Sequence, residues 1–314
     1  PIEVPQRTPM GLQEFRVQTS SFAPEYGRTP GAQISIATRS GTNDFHGAVF
    51  DYVRNDKLNA NDWFANRIGL KRPIERHNDF GGVIGGPVFF PRFGEGGRTL
   101  YNGRNRTFFF FSYEGVRLLQ PQTRTGDEVP SLAARQVATA ALRPYLNAFP
   151  LPNGRVLTNG SAEFNATFSN PANLDSTSIR VDHSFKGTTI FFRFADAPSS
   201  TELRGGANSS LSVIRHNTLA TKSFTGGATT TISAALINDF RANWTASSGT
   251  DAYSPDNFGG AIAPPDSLLF APNTSAADAF FSFRFIGLNA VIFGGKSVLN
   301  RQKQINLIDT LSLT

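Results

Sequence analysis

Along this 314-residue chain, segments that alternate apolar and polar residues with a period of two are joined by connections that are long and short in turn. A period of two marks a strand with one greasy face and one wet face. In Ser176 to Phe185, residues Thr177, Ile179, Val181, His183 and Phe185 share one face, and Ser178, Arg180, Asp182 and Ser184 share the other. Thr188 to Asp196 sets Ile190, Phe192 and Phe194 against Thr189, Phe191 and Arg193. Leu236 to Trp244 sets Leu236, Phe240 and Trp244 against Asp239, Arg241 and Asn243. Eight strands are expected, near 44–54, 77–90, 106–118, 176–185, 188–197, 214–230, 235–248 and 303–314. The connections 55–76, 119–175, 198–213 and 249–302 are long. Those between them, 91–105, 186–187 and 231–234, are mostly short. Such an alternation places every long loop at one end of an antiparallel sheet, as transmembrane β-barrels do. A soluble sandwich has no reason to keep it.

Three strands read less cleanly. Between Thr107 and Leu118, Phe109, Phe111 and Tyr113 oppose Ser112 and Glu114, but Phe108 and Phe110 spoil the polar face. The strand at 214–230 alternates poorly and contains Gly226-Gly227. In the last strand Asp309 falls on the apolar face with Leu307 and Leu311, which suggests a bulge. Helical spacing is convincing once, where Ser131 is a fitting N-cap for Leu132, Val137, Ala141, Leu142 and Tyr145. Pro144 is expected to kink or end that helix.

Composition agrees with strands that are wet on one side. Charged residues make up 17% and hydrophobic residues only 39%, the difference being filled by Gly, Ser, Thr and Asn; Phe occurs 29 times against 6 Tyr and 2 Trp. No apolar run approaches the length of a spanning helix. A membrane protein with this sequence must therefore span with strands. The net charge of +6 and pI near 9.8 would suit nucleic acid. The charges are scattered, however, without a block of like sign, and no nucleic-acid partner is expected.

Few motifs carry chemistry. With no cysteine there is no disulfide, thiolate metal site or thiol nucleophile. Gly81-Gly82 and Gly85-Gly86 would need a following helix to cradle phosphate, but Pro87-Val88-Phe89-Phe90 continues as strand. Glycines that let a strand bend and let another segment pack closely on it are the better reading. Gly294-Gly295-Lys296-Ser297 resembles the end of a phosphate-binding loop, yet Ala290 occupies the position of its first glycine. His46, His77, His183 and His216 are far apart, unlike zinc ligands. No Gly-x-Ser-x-Gly elbow occurs. No catalytic residue, cofactor or metal is expected, and the chain does not read as an enzyme.

A resemblance sharpens this reading. Gln13-Glu14-Phe15-Arg16-Val17-Gln18 resembles the penultimate plug strand of TonB-dependent outer-membrane receptors. Glu25-Tyr26-Gly27-Arg28 resembles their Tyr-Gly turn, and Gly31 to Thr42 resembles their last plug strand, with Ala32-Gln33 where the family usually has Gly-Val. Phe45-His46-Gly47 with Asp51 to Asp56, then Phe80 to Pro87, then Phe108 to Gly115, resemble the first three barrel strands. Arg180-Val181-Asp182-His183 and Asn238-Asp239-Phe240-Arg241 are similar to later ones. The ordered set resembles the Oar-like branch of the family.

The resemblance implies an all-β chain: a partial transmembrane antiparallel barrel of about eight strands, preceded by the end of a plug. Residues 1–42 would be plug and 43–314 the N-terminal part of the barrel. The four long connections would be extracellular loops. Both ends read as cut, since Pro1 follows no visible signal peptide and Leu311 to Thr314 read as mid-strand. The implied location is the outer membrane of a Gram-negative bacterium. The implied partners are membrane lipid, a TonB-type energy-coupling protein acting through a missing N-terminal region, and an unidentified extracellular ligand, an oligosaccharide or other large nutrient. A cell-surface adhesion or polymer-binding barrel without transport is the alternative, and a TonB box upstream of Pro1 would separate the two.

Arg180, Asp182, Arg193, Asp239 and Arg241 share the expected lumen face. They either satisfy one another and water or contact the plug, with Arg16, Glu25 and Arg28 as candidate partners. Trp63, Phe64, Tyr253, Phe280 and Phe281 lie in expected outer loops, where they either stack on a ligand such as a sugar or pack the loops together.

Overall fold

The computed structural model describes residues 12–18, 33–91, 100–206 and 208–313. Its main feature is one antiparallel sheet of eight strands. They are β3 (His46–Asn55), β4 (Arg76–Pro87), β7 (Thr107–Pro130), β8 (Ser161–Phe185), β9 (Thr188–Arg204), β10 (Val213–Ser233), β11 (Leu236–Pro255) and β14 (Val298–Leu313). They lie side by side in sequence order, so the connections 56–75, 131–160, 205–212 and 256–297 all emerge at one end. The sheet does not close on itself: β3 and β14 are its edges. Three small hairpins accompany it: β1 (Leu12–Gln18) with β2 (Gln33–Thr38), β5 (Phe89–Pro91) with β6 (Leu100–Asn102), and β12 (Phe280–Arg284) with β13 (Val291–Gly295).

Directly opposed residues on antiparallel neighbours share a face, so the register defines rows across the whole sheet. One row reads Gly47, Ile84, Phe111, Ile179, Phe194, Phe224, Trp244, Ile305. The next row toward the short turns reads Gly86, Phe109, Val181, Phe192, Gly226, Ala242, Leu307. No charge interrupts either. The opposite face at the same height reads His46, Gly85, Phe110, Arg180, Arg193, Thr225, Asn243, Asn306. A continuous apolar band backed by a polar face is what a strand needs to separate hydrocarbon from water.

The glycines and the misplaced aromatics explain each other. Phe191 sits on the polar face directly opposite Gly227, and a Cβ built on Gly227 would collide with its ring. Phe110 likewise lies against Gly85, where an added Cβ would come within 2.9 Å of Cδ2. A ring that covers a neighbouring glycine needs no alternation, and for this reason β10 runs unbroken through Gly226-Gly227. Gly227→Val should therefore cost about 1–3 kcal/mol through overpacking. Thermal denaturation of the full-length protein in detergent checks this; an unchanged midpoint would show that the ring yields freely.

Three expectations change. The last strand has no bulge: its register against β11 is continuous, with Asp309 opposite Phe240. Asp309 stays on the apolar face and accepts a 2.7 Å hydrogen bond from Asn238 Nδ2 on the neighbouring strand. The expected helix is two. In α2 (Leu132–Val137), Ser131 Oγ accepts from the Ala134 amide at 3.1 Å, and the helix stops at Ala138, whose ψ of 142° is extended. Pro144 lies in the first turn of α3 (Arg143–Asn147), where its missing N–H costs nothing, so it starts a helix rather than ending one.

The third change is strand length. β7 and β8 have 24 and 25 residues, against the 9–11 that cross a bilayer. They pair out to Pro130 opposite Ser161, well past the expected boundaries at Leu118 and Ser176. Beyond Leu118 β7 carries few apolar residues before Val129, so its alternation fades although the ladder continues, while Ala162, Phe164, Ala166 and Phe168 still alternate on β8. Pro121 and Pro171 argue against strand, but each sits where one neighbour has ended. β4 pairs with β7 only as far as Leu119, and β9 with β8 only as far as Ala172.

The buried core lies at the long-connection end and not within the sheet. Val129, Phe149, Phe164, Leu211, Val213 and Ile292 form its centre, with Phe149 and Ile292 fully buried. Phe258, Phe281, Phe283 and Phe285 pack around it. Three long connections thus collapse into one cap on the strand tips.

Candidate functional site: the charged face and the cap

The five expected lumen charges all lie on the polar face, and four of them pair two residues apart along their own strand. On β8, Arg180 Nη2 donates to Asp182 Oδ1 at 2.7 Å, and Nε also reaches that carboxylate. On β11, Arg241 Nη2 donates to Asp239 Oδ2 at 3.0 Å. Residues two apart on a strand point the same way, so each pair forms without help from a neighbour. Arg193 stands directly opposite Arg180 and donates instead to Ser178 Oγ at 3.2 Å. The Arg180 guanidinium also lies 4.7 Å from the centre of the Phe191 ring.

Arg180 reaches one more partner. Its Nη1 lies 3.4 Å from Thr38 Oγ1, the last residue of β2. The β1–β2 hairpin therefore has a contact with the polar face of the sheet. The chain leaving β2 is then fixed in place. Gly41 is buried, and a Cβ there would collide with the backbone oxygens of Phe109 and Gly86. Asn43 Nδ2 donates to Asn105 Oδ1 at 2.5 Å, and its Oδ1 accepts from the Asn105 amide at 2.6 Å. Asn105 holds a φ of 61° in the turn before β7, a conformation asparagine tolerates. Of the expected partners on the hairpin side, Arg16 lies on β1, while Glu25 and Arg28 lie outside the described residues.

The loop aromatics occupy two places. Trp63 and Phe64 open α1 (Trp63–Arg67), edge to face at 5.1 Å, and both stay more than half exposed. Tyr253, Phe280 and Phe281 belong to the cap. Tyr253 packs on Phe293 at 5.2 Å, and Phe281 on Phe270 at 5.5 Å and on Phe283 at 6.2 Å. Phe280 packs on Tyr253 at 6.1 Å with half its surface open.

Sequence reasoning missed the polar ties of the cap. Arg135 is buried; its Nε donates to the Pro130 carbonyl at 3.1 Å, and its Nη2 to those of Phe149 and Pro150 at 3.2 and 2.6 Å. Burial without a carboxylate partner lowers its pKa to about 10, so it remains charged at neutral pH. Arg204 forms a two-pronged bridge to Asp256 at 2.9 and 2.6 Å and lies 4.2 Å from the centre of the Phe258 ring. A pocket of about 220 Å³ is lined by Asn208, Ser209, Asn289 and the Arg124–Asp127 pair together with Phe164 and Leu211. The sequence signal for the cap was Phe280-Phe281-Ser282-Phe283-Arg284-Phe285, too rich in aromatics for a solvated loop.

The four histidines occupy four separate places, and no three potential metal ligands converge among the described residues. The paired glycines of β4 continue as strand and border no helix.

An unclosed antiparallel sheet with an apolar band on one face, charges on the other and long loops at one end defines a piece of transmembrane β-barrel wall. The family model for the outer membrane beta barrel domain matches residues 37–314, and the chain belongs to that family. It is an outer-membrane protein of the Gram-negative type. Over 81 residues it is 32% identical to the TonB-dependent transporter Oar of Myxococcus xanthus, a match spanning 24% of this chain and 8% of that protein. The crystal structure of the ferric-catecholate import receptor Fiu of E. coli K12, in its open form, is also similar. The TM-score is 0.35 at 11% identity, covering 94% of this chain and 55% of that one. These relatives are transporters and receptors, not enzymes.

Proposed function

We propose that the chain is the plug-to-barrel junction and the first barrel strands of a TonB-dependent importer. In this reading residues 1–42 are the end of the plug, the polar face lines the lumen, and the cap and Trp63–Phe64 stand outside the cell. The observation that carries it is the contact of Arg180 with Thr38. A hairpin that precedes the barrel strands in sequence and touches their polar face supports the reading of residues 1–42 as the end of a plug. The paired charges suit that role: Arg180, held by Asp182 and Phe191, offers one remaining nitrogen to the hairpin. A contact so small can be released by remodelling the hairpin without unpairing the barrel charge.

The ligand enters from the cap side, where the pocket at Asn208 and Asn289 is lined by amides, hydroxyls and the charged Arg124, Asp127 and Glu128 beside Phe164 and Leu211. This chemistry suits a polyhydroxy ligand. The full-length receptor tests the energy coupling. Its Thr38→Cys variant, in living cells, should react faster with a membrane-impermeant maleimide when TonB is present and the proton gradient intact. Equal rates with TonB deleted or the gradient collapsed would reject import in favour of a static adhesion barrel.

A further inference from the structure

Above the apolar row, on the same face and toward the long connections, β10 and β14 turn basic on either side of β11. Lys222 on β10, Ala246 on β11 and Lys303 on β14 are directly opposed, and Arg301 stands opposite Ser248 one step further out. Immediately below them, in the adjoining row, are Phe224, Trp244 and Ile305. Lys222 and Lys303 flank a strand on which only the small residues Ala246 and Ser248 face the same way, so about 10 Å of open floor separates the two cations. Among the described residues Arg301 and Lys303 have no carboxylate partner, and Lys222 has only Asp196, at 3.9 Å. The patch therefore keeps a surplus of about two positive charges.

We propose that this patch binds the phosphate groups of outer-leaflet lipid. Lys222, Arg301 and Lys303 would take the phosphates, and Phe224, Trp244 and Ile305 the upper part of the acyl chains. The register sets the height: one residue pair separates the last apolar row from the first cations, the distance from hydrocarbon to headgroup. Long basic side chains at that level keep their stems on apolar surface and their charges in the headgroup layer. A free anion would have no use for the aromatic row beneath. A soluble acidic partner would have to displace the lipid from it. The inference depends on which face meets lipid and is independent of whether the receptor imports anything.

The test uses the full-length receptor in dodecyl maltoside, titrated with diphosphoryl lipid A or its dephosphorylated form, with bound lipid counted by native mass spectrometry. The diphosphoryl form should bind tighter. Each basic residue near an anionic headgroup layer contributes about fivefold in affinity. The triple variant Lys222→Gln, Arg301→Gln, Lys303→Gln should therefore bind diphosphoryl lipid roughly a hundredfold more weakly. Asp196→Asn, which frees Lys222, should bind it more tightly, a gain that general damage to the fold would not produce. Removing equal charge at Arg104, Arg106 and Lys186, at the short-turn end, should change nothing. Equal binding of the two lipids, wild-type affinity in the triple variant, or displacement by millimolar inorganic phosphate would each overturn the proposal.

Discussion

Phe149→Ala should open the cap while leaving the barrel strands paired. The side chain is fully buried at the meeting point of the three connections, with Phe283 and Phe285 ring centres at 6.4 and 6.0 Å. Truncating a phenylalanine in such a core costs about 3–5 kcal/mol. The loss falls on a unit that the strand ladders do not hold. Of the core residues, Val129, Phe164 and Val213 lie on strand tips, whereas Phe149 and Leu211 lie in connections. The carbonyl of Phe149 is also one of three that Arg135 ties together, so displacing its backbone strands a buried guanidinium. Hydrogen exchange of the full-length protein should therefore show lost protection in 131–160 and 256–297, with β9 and the part of β10 beyond its Val213 tip unchanged. Val137→Ala, on the exposed side of α2, is the control and should be close to neutral. If Phe149→Ala unfolds cap and strands together, the cap is not a separate cooperative unit.

The sequence made the sheet readable wherever one face met hydrocarbon. Between Ser176 and Phe194 the two faces separate clearly apart from Phe191, because a single slip of register would turn Arg180 or Arg193 toward the apolar band. Beyond Leu118 the signal is split: the tip of β7 shows little alternation, whereas Ala162, Phe164, Ala166 and Phe168 alternate with Glu163, Asn165 and Thr167 on the tip of β8, whose apolar side packs into the cap. The turn residues were legible in part. Gly187, with φ of 79°, closes the two-residue turn between β8 and β9, and Ser131 caps α2 as its position requires. Pro144 misled because a proline within a helical spacing has two meanings, and only the extended backbone at Ala138 decides between them.

The charged face was legible as a face but not as a set of partners. Pairing two residues apart is local, and Arg180 with Asp182 could have been inferred from strand geometry alone. The tie between Asn43 and Asn105, 62 positions apart, has no local signature. Neither has Arg135, which looks from sequence like one more solvated charge on a short amphipathic helix. Its role arises only when Pro130, Phe149 and Pro150 turn their carbonyls toward it. The loop aromatics show the same difficulty. Trp63 and Tyr253 are equivalent in sequence terms, yet one stays more than half exposed on a small helix and the other packs in the cap.

Ile179→Arg should destabilise the full-length protein in a bilayer by about 1–2 kcal/mol, since a charge on the outside of a barrel costs about 2–4 kcal/mol at the midplane and less toward the interfaces, and the Ile179 row adjoins the first charged row. Ile179 sits between Phe111 and Phe194 on adjacent strands, and the nearest carboxylate on its face is Asp196, diagonally one row toward the long connections. The next residue should behave differently. Arg180→Ile places no charge in lipid, but it removes the partner of Asp182, which is only 8% exposed. Leaving that carboxylate unpaired should cost about 1–3 kcal/mol. Replacing both partners with apolar residues should then be nearly neutral, as it is for many buried pairs. The two positions thus fail for separate reasons, and a second substitution tells them apart. Asp182→Val should rescue Arg180→Ile and leave Ile179→Arg as unstable as before. Equilibrium unfolding of the single and double variants in phospholipid vesicles gives the comparison. If Ile179→Arg costs no more than a typical surface change, the Ile179 face is not the one that meets lipid. Should Asp182→Val fail to rescue Arg180→Ile, the loss must instead lie in the contacts Arg180 makes with Phe191 and Thr38, and the barrel wall would depend on the hairpin for its stability.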